Sequence, residues 1–344
     1  MLKPLIGRLV DKEDLGETEM MAAMEHIMCG RASDGQIGAF LTAFRLKGET
    51  ADEIVGAAQV MRRHATPLRP AMPDLTDTCG TGGDASRSFN ISTASAFVLA
   101  GAGLRVAKHG NRAVSSRCGS ADVLQALGVC VDVDIETTRS CIENIGVGFL
   151  YAPLLHTAMR HVAPIRRDIG IRTVFNLLGP LTNPAGVAHQ VVGVCRPELT
   201  GLLADALCRL GTKRAMVVHG SDGLDEITVT GPTLVAEVRH GRVVEYVIEP
   251  EDAGIPRAPI ESIQGGEPHT NAGIIRRVLA GESGAPRDVV LLNAGAALRV
   301  SGRAHDLREG VRLAADSIDS GRARRSLDLL VQMTNLPELA EVTQ

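Results

Sequence analysis

The sequence predicts an α/β protein: a small helical N-terminal domain plus a larger α/β domain with a mostly parallel central sheet flanked by helices. Three observations predict it. The first 66 residues carry helical periodicity and helix start signals. A proline-punctuated stretch then interrupts the pattern. Beyond it, short apolar runs alternate with amphipathic segments, the rhythm of βαβ units.

In the N-terminal part, Leu2, Leu5, Ile6 and Leu9 follow i, i+3, i+4, i+7 spacing. Ser-Asp-Gly-Gln at 33–36 and Thr-Ala-Asp-Glu at 50–53 have the capping-box pattern ahead of apolar-periodic runs. Met20, Met21, Met24 and Met28 share a helical stripe and read as core or interface packing. Pro67, Pro70 and Pro73 cannot continue a helix, so "ATPLRPAMPDL" reads as a linker or hinge.

After the linker, "LRVAKHG" reads as a strand, "SADVLQALGV" as a helix, "VGFLYA" as a strand and "LLHTAMRHVA" as a helix. "HQVVGVC" is a strand, "PELTGLLADALCRLG" a helix with Gly211 past its end, and "RAMVVHG" another strand. "TLVAEVRHGRVVEYVIEP" breaks the rhythm, as two alternating runs joined at His240-Gly241 make an antiparallel hairpin. The tail from Arg287 on reads as mostly helical. In such a sheet, ligands are expected at the carboxyl ends of the strands.

Composition removes several classes. A net charge of −4 gives no global basic field for nucleic acid or an anionic membrane. Aromatic residues make up 2%, without Trp, so stacking platforms for single strands are not expected. The longest apolar stretches are too short to span a bilayer. Seven cysteines, scattered without a Cys-x-x-Cys pair, fit reduced thiols in the cytoplasm.

Four polar stretches stand out. "DTCGTGGDASRSFNISTAS" sets Gly80, Gly82 and Gly83 after a strand and Asn90, Ser92 and Thr93 where a helix starts. Such glycines permit positive φ and close ligand approach, and a helix N-terminus favours phosphate. Spacing alone leaves two readings open, a phosphate cradle or a tight turn with an N-cap serine. "KHGNRAVSSRCGSADVL" likewise lies between strand and helix, so both loops are expected to open on the same sheet edge. It carries Lys108, His109, Asn111, Arg112 and Arg117, with Ser120 just before the helix; a solvated loop is the alternative. "GSDGLDEITVTGP" holds adjacent acids, Asp225 and Glu226. Alone they read as surface; beside a diphosphate they could hold Mg²⁺ with Ser92. Residues 160–172 carry four Arg and one Asp, and Pro164 is expected to end or kink the preceding helix and expose Arg166.

Taken together and in this order, "DTCGTGGD", "FNIST", "KHGNRAVSS", "IRRDIGIRTVFNLLGPLTNP" and "GSDGLDE" resemble the anthranilate phosphoribosyltransferase family, a relative of the pyrimidine nucleoside phosphorylases. These motifs run from 77 to 226; the helical part and the tail match more weakly. The resemblance implies helical residues 1–70 with 170–186 packing into them, and 71–169 with 187–344 as the α/β domain. It implies phosphoribosyl diphosphate bound by Gly80, Gly83, Asp84, Ser88, Asn90, Ile91, Ser92 and Thr93, the last four around its 5-phosphate. Family members often have Thr where Ser88 stands, and the hydroxyl is kept. Lys108, His109, Gly110, Asn111, Arg112, Ala113, Val114, Ser115, Ser116 and Ser120 would close over diphosphate and ribose, with Lys108 and Arg166 assisting. Gly80, Asn111, Arg166, His109 and His156 would meet anthranilate, Arg166 through the carboxylate. Ser92, Asp225 and Glu226 would hold Mg²⁺, two ions with bound diphosphate. A homodimer through the helical domain is implied. The alternatives are a nucleoside phosphorylase, or a paralogue that keeps the fold but binds nucleic acid or regulates.

Overall fold

The computed structural model describes residues 1–69, 74–84, 86–113 and 117–336. Pro70 and Pro73 of the linker, and Val114, Ser115 and Ser116 of the second polar stretch, lie outside them.

The N-terminal helices are α1 (Leu2–Val10), α2 (Glu17–Met28), α3 (Asp34–Lys47) and α4 (Ala51–His64). Both expected capping boxes form. Ser33 Oγ accepts from the Gln36 N–H at 3.3 Å, and Thr50 Oγ1 from the Glu53 N–H at 3.4 Å. Glu53 is fully buried and also accepts from the Leu15 N–H and from Lys47 Nζ, each at 2.9 Å, so its charge is paired. Met20, Met24 and Met28 are buried in the core of this bundle. Helix α4 stops at His64, ahead of Pro67, and the Thr66 N–H donates to the Leu155 carbonyl at 2.8 Å.

The sheet comprises β1 (Thr76–Gly80), β2 (Val106–Gly110), β3 (Val147–Tyr151), β4 (His189–Gly193), β5 (Arg214–Gly220), β6 (Thr233–Arg239) and β7 (Arg242–Ile248). Its order among the described residues is β3-β2-β1-β4-β5-β6-β7, parallel from β3 through β5 and antiparallel at β5–β6 and β6–β7. The hairpin turns at His240 and Gly241, with φ of 52° and 70°, as a two-residue loop with two left-handed centres requires. The chain winds outward from β1 to β3 on one side, then resumes at β4 on the other. That reversal puts a crevice at the carboxyl ends of β1 and β4.

The other helices are α5 (Ile91–Gly101), α6 (Ser120–Ala126), α7 (Ile135–Ile145), α8 (Ala152–Leu155), α9 (Ala163–Ile169), α10 (Phe175–Leu178), α11 (Leu199–Arg209), α12 (Pro268–Leu279), α13 (Ala285–Val300), α14 (Leu307–Asp319) and α15 (Arg322–Thr334). Period-2 alternation splits the sheet between two cores. On β5, Met216 and Val218 join α5 and α13 on one face, while Ala215 and Val217 join α11 and the N-terminal helices on the other. Leu177, Leu178 and Leu181 pack into this second core with α1–α4. No described helix is long and apolar enough to cross a membrane.

Three expectations need correction. "LLHTAMRHVA" is not one helix: α8 ends at Leu155, His156 takes φ −111° and ψ 58°, and a 3-10 turn follows at Thr157–His161. Pro164 begins a helix instead of ending one, lying in the first turn of α9, where a missing N–H costs nothing. Arg166, later in α9, is half-buried, not exposed.

Candidate active site

The site is built where β1 ends beside β4. The Thr81 N–H donates to the Gly193 carbonyl at 2.9 Å, closing the edge. Gly82 and Gly83 then turn with φ of 66° and 77°, a left-handed conformation that glycine adopts at least cost. The 220–226 turn after β5 folds back across the same edge. Asp225 accepts from the Gly82 N–H at 2.7 Å. A Cβ on Gly80 would strike the Asp225 carboxylate, and one on Gly193 would strike its backbone carbonyl. Two bare strand ends therefore admit this acidic turn.

Glu226, 8% exposed, accepts from the Ser92 N–H at 3.1 Å in the first turn of α5. Lys108 Nζ comes from β2 beneath, donating to the Thr78 carbonyl at 2.7 Å and to Ser92 Oγ at 3.3 Å. Lys108 is buried on a strand, not on a solvated loop. Below it, fully buried Asp77 accepts from Asn183 Nδ2 at 2.8 Å and from the His109 N–H at 3.4 Å. Burial pushes the Asp77 carboxyl up, while Lys108 pulls it down.

The acids repel one another. Burial, then Asp84 and then Glu226 push Asp225 well above the usual carboxylate range. Burial raises Glu226 to about 7, against the pull of Lys108 and the Ser92 N–H. Asp84, expected only at the sugar diphosphate, thus shares the electrostatics of the acidic pair. Asp84, Asp225, Glu226 and the Ser92 hydroxyl supply hard oxygens of the kind Mg²⁺ prefers, and a divalent cation among them would relieve the repulsion of the acids. The buried hydroxyls of Thr81 and Thr93 have no partner among the described residues, which leaves them available to a polar ligand.

At the start of α5, the N-cap is Asn90, not a serine, and its side chain makes no cap bond. Its amide donates to the Cys118 carbonyl at 3.1 Å and accepts from Asn271 Nδ2 at 2.9 Å. Other acceptors take the first N–H groups of the helix: the Ile91 N–H donates to the Phe89 carbonyl at 2.8 Å and the Ser92 N–H to Glu226. Ile91 is buried. Ser88 bridges to Gln264 in antiparallel fashion. Ser86 Oγ donates to Asp84 at 2.5 Å and so orders the turn.

Beyond β2, Gly110 packs against Ser120 and Phe149, and Ser120 Oγ donates to the Asn111 carbonyl at 3.2 Å. Arg112 points along α6 and β3, donating to the Tyr151 hydroxyl at 3.0 Å and to Asp122 at 3.2 Å; the Ala113 N–H also donates to Asp122 at 2.9 Å. His109 and His156 form a buried pair with Nε2 atoms 3.2 Å apart, and His109 Nδ1 lies 3.2 Å from the Gly179 carbonyl. Burial, with His156 adding to it, lowers His109 to about 3; burial lowers His156 to about 4. Both are neutral at physiological pH. Arg166 stacks 5.3 Å over Phe175 and donates to Asn176 Oδ1 at 3.4 Å. Its guanidinium is held below its ordinary pKa by burial and by Arg172.

Sequence reasoning missed Gly193, Arg172 and Asn271. Arg172 covers Gly83, where any side chain would collide with its guanidinium, and donates to the Thr81 carbonyl at 3.1 Å. It lay in the counted 160–172 arginine run, which was its only signal. Gly193 and Asn271 carry no local signal.

Residues 3–65 match the glycosyl transferase family helical bundle domain, and residues 72–324 match the glycosyl transferase family a/b domain. Fold and site thus define a glycosyl transferase-type enzyme. An anthranilate phosphoribosyltransferase of Symbiobacterium thermophilum is 55% identical over 334 residues, covering 97% of this chain and 98% of the relative. A solved anthranilate phosphoribosyltransferase from Thermus thermophilus superposes with a TM-score of 0.91 at 45% identity, covering 96% of this chain and 99% of that one. The Saccharomyces cerevisiae enzyme, solved in complex with PRPP and Mg, gives a TM-score of 0.89 at 30% identity over 97% of each chain. The chain belongs to the anthranilate phosphoribosyltransferase family.

Proposed function

We propose that this enzyme transfers the phosphoribosyl group of 5-phosphoribosyl 1-diphosphate to the amine of anthranilate, giving N-(5-phosphoribosyl)anthranilate and diphosphate, in tryptophan biosynthesis. The observation that carries the reading is the junction of Asp225, Glu226, Ser92 and Lys108 at the carboxyl ends of β1, β4 and β2. The anthranilate phosphoribosyltransferase of Symbiobacterium thermophilum and the yeast relative solved with PRPP and Mg support it.

In this reading the residues Asn90 to Thr93 at the start of α5 lie around the 5-phosphate, at the positive end of the helix dipole. Gly80 and Gly83 let the diphosphate and ribose lie against the backbone. Asp84, Asp225, Glu226 and the Ser92 hydroxyl would hold Mg²⁺, which supplies charge neutralisation at the leaving diphosphate. Lys108 adds a fixed positive charge beneath Ser92. Arg166, with Asn111 and the neutral imidazoles of His109 and His156, orients anthranilate by its carboxylate. Rupture of the C1–O bond builds oxocarbenium character, the amine attacks C1 as diphosphate leaves, and the nitrogen then releases one proton to solvent. No covalent nucleophile is needed: Cys79 is half-buried, and its thiol is pushed well above its ordinary value by desolvation and by Asp77, so it stays protonated. Positioning the weakly nucleophilic amine contributes on the order of 7–11 kcal/mol in well-oriented cases.

Residues 1–70 with 170–186 act as one domain and the rest as the other, and two chains pair through the helical one. The deciding experiment mixes the protein with anthranilate, phosphoribosyl diphosphate and Mg²⁺ and follows anthranilate fluorescence. Loss of fluorescence supports the reading. No loss, with phosphorolysis of thymidine or uridine, replaces it by a nucleoside phosphorylase.

A further inference from the structure

Glu25, Cys29 and His64 lie outside the site described above. Glu25 lies in the last turn of α2, Cys29 caps the end of that helix, and His64 is the last residue of α4. One ligand atom from each lies within 4.8 Å of the other two. Cys29 Sγ is 3.3 Å from Glu25 Oε1, and His64 Nε2 is 3.0 Å from the same oxygen. The edges of a tetrahedral zinc coordination sphere with sulfur, nitrogen and oxygen donors are about 3.3–3.5 Å, so these two separations already approach two edges of one face of such a sphere.

We propose that Glu25, Cys29 and His64 form a binding site for a zinc-class divalent cation. The donor set sorts the metals: thiolate and imidazole select zinc or cobalt over magnesium, whereas the strand-end oxygens select magnesium. Local backbone electrostatics agree, because α2 and α4 both end here and their carbonyl ends present partial negative charge to the site. Arg63 approaches the other Glu25 oxygen, Oε2, at 3.8 Å and leaves Oε1 for the metal. Without metal the Cys29 thiol donates its proton to Glu25; on binding, the sulfur coordinates as thiolate and that proton passes to solvent. His64 binds neutral, through Nε2. Three protein ligands leave one tetrahedral position for water or an added ligand. An occupied site ties the end of α2 to the end of α4, just before the 65–69 connection into the sheet. The proposal is independent of the transferase reading.

The test uses the full-length chain stripped with chelator, kept in excess Mg²⁺ to fill the strand-end oxygens, and titrated with Co²⁺ and then Zn²⁺. The expected result is a thiolate-to-cobalt charge-transfer band that saturates at one equivalent and is removed by Zn²⁺. Cys29→Ser abolishes the band, and His64→Gln weakens Co²⁺ binding about tenfold or more. Unchanged far-UV circular dichroism and thermal midpoint in both metal-free variants show that they fold. No charge-transfer band in the parent chain, a band surviving in Cys29→Ser, or unchanged affinity in His64→Gln overturns the proposal.

Discussion

Replacing Gly193 by alanine places one methyl group where the sheet edge meets the acidic turn. The added Cβ would overlap the backbone carbonyl of Asp225. No rotamer change relieves a collision with backbone, so the segment carrying Asp225 and Glu226 must move by on the order of 1 Å, the scale of misplacement that costs about 100-fold in rate. That loss corresponds to about 2.7 kcal/mol of transition-state stabilisation. Overpacking also lowers stability by about 1–3 kcal/mol. The assay is initial-rate anthranilate fluorescence at 25 °C, with a denaturant midpoint measured on the same sample. Gly35→Ala serves as the control: nothing lies within 4 Å of its Cβ position. It sits in α3, so kcat/KM is expected unchanged and stability equal or higher by up to about 1 kcal/mol. A folded Gly193→Ala enzyme with wild-type kcat/KM would refute the placement of the acids against the end of β4.

Arg166→Ala is expected to raise KM for anthranilate by about 10–100-fold, from loss of a charge-assisted carboxylate contact, and KM for phosphoribosyl diphosphate far less; equal effects on both reject the carboxylate role. His109 and His156 titrate near 3 and 4 in the fold, below the ordinary 6.5, so the unfolded chain binds more protons across that window. Stability is therefore complete above about pH 6.5 and falls as pH drops toward 4, by up to about 1.4 kcal/mol per pH unit for each imidazole. His109→Asn with His156→Gln flattens this slope in urea unfolding from pH 7 to 4.5, and an unchanged slope contradicts it. Glu53→Gln strips charge from the acceptor of the Leu15 N–H and the Lys47 ammonium, at a cost of about 2–3 kcal/mol read by urea unfolding; a change below 0.5 kcal/mol, roughly the scale of an ordinary surface substitution, excludes a buried structural role.

Much of the fold was legible because local chemistry and tertiary structure agree. The boxes at Ser33 and Thr50, the turn at His240-Gly241 and the βαβ rhythm each rest on a few adjacent residues. Four helices went unread: α7, with Asp134 as its cap and left-handed Gly146 past its end; α9, with Pro164 in its first turn and left-handed Gly170 past its end; the short α10; and α12, which opens on Pro268. Of these, α7 carries many polar residues and buries a narrow face, whereas α12 buries half its residues behind a polar first turn. His156 breaks a run that periodicity reads as continuous, because its ring turns inward to meet His109. The glycine-rich turn and the acidic pair were visible as residue types. Their meeting was not, since Gly82 and Asp225 are 143 residues apart and meet only through the strand order. Gly193 is silent for the same reason: inside a strand run it looks like a small residue, and its need for a bare backbone arises from a turn that begins 27 positions later, at Gly220.

The most direct test of the whole account is the Mg²⁺ dependence of turnover in an enzyme carrying Asp225→Asn and Glu226→Gln, compared with the parent chain. The account predicts that half-activation moves to Mg²⁺ concentrations about tenfold higher or more, with the maximal rate reduced, because two of the proposed oxygen ligands lose their charge while Asp84, Ser92 and Lys108 remain. Coincident Mg²⁺ activation curves for the two proteins would remove the acidic turn from the metal site and contradict the account.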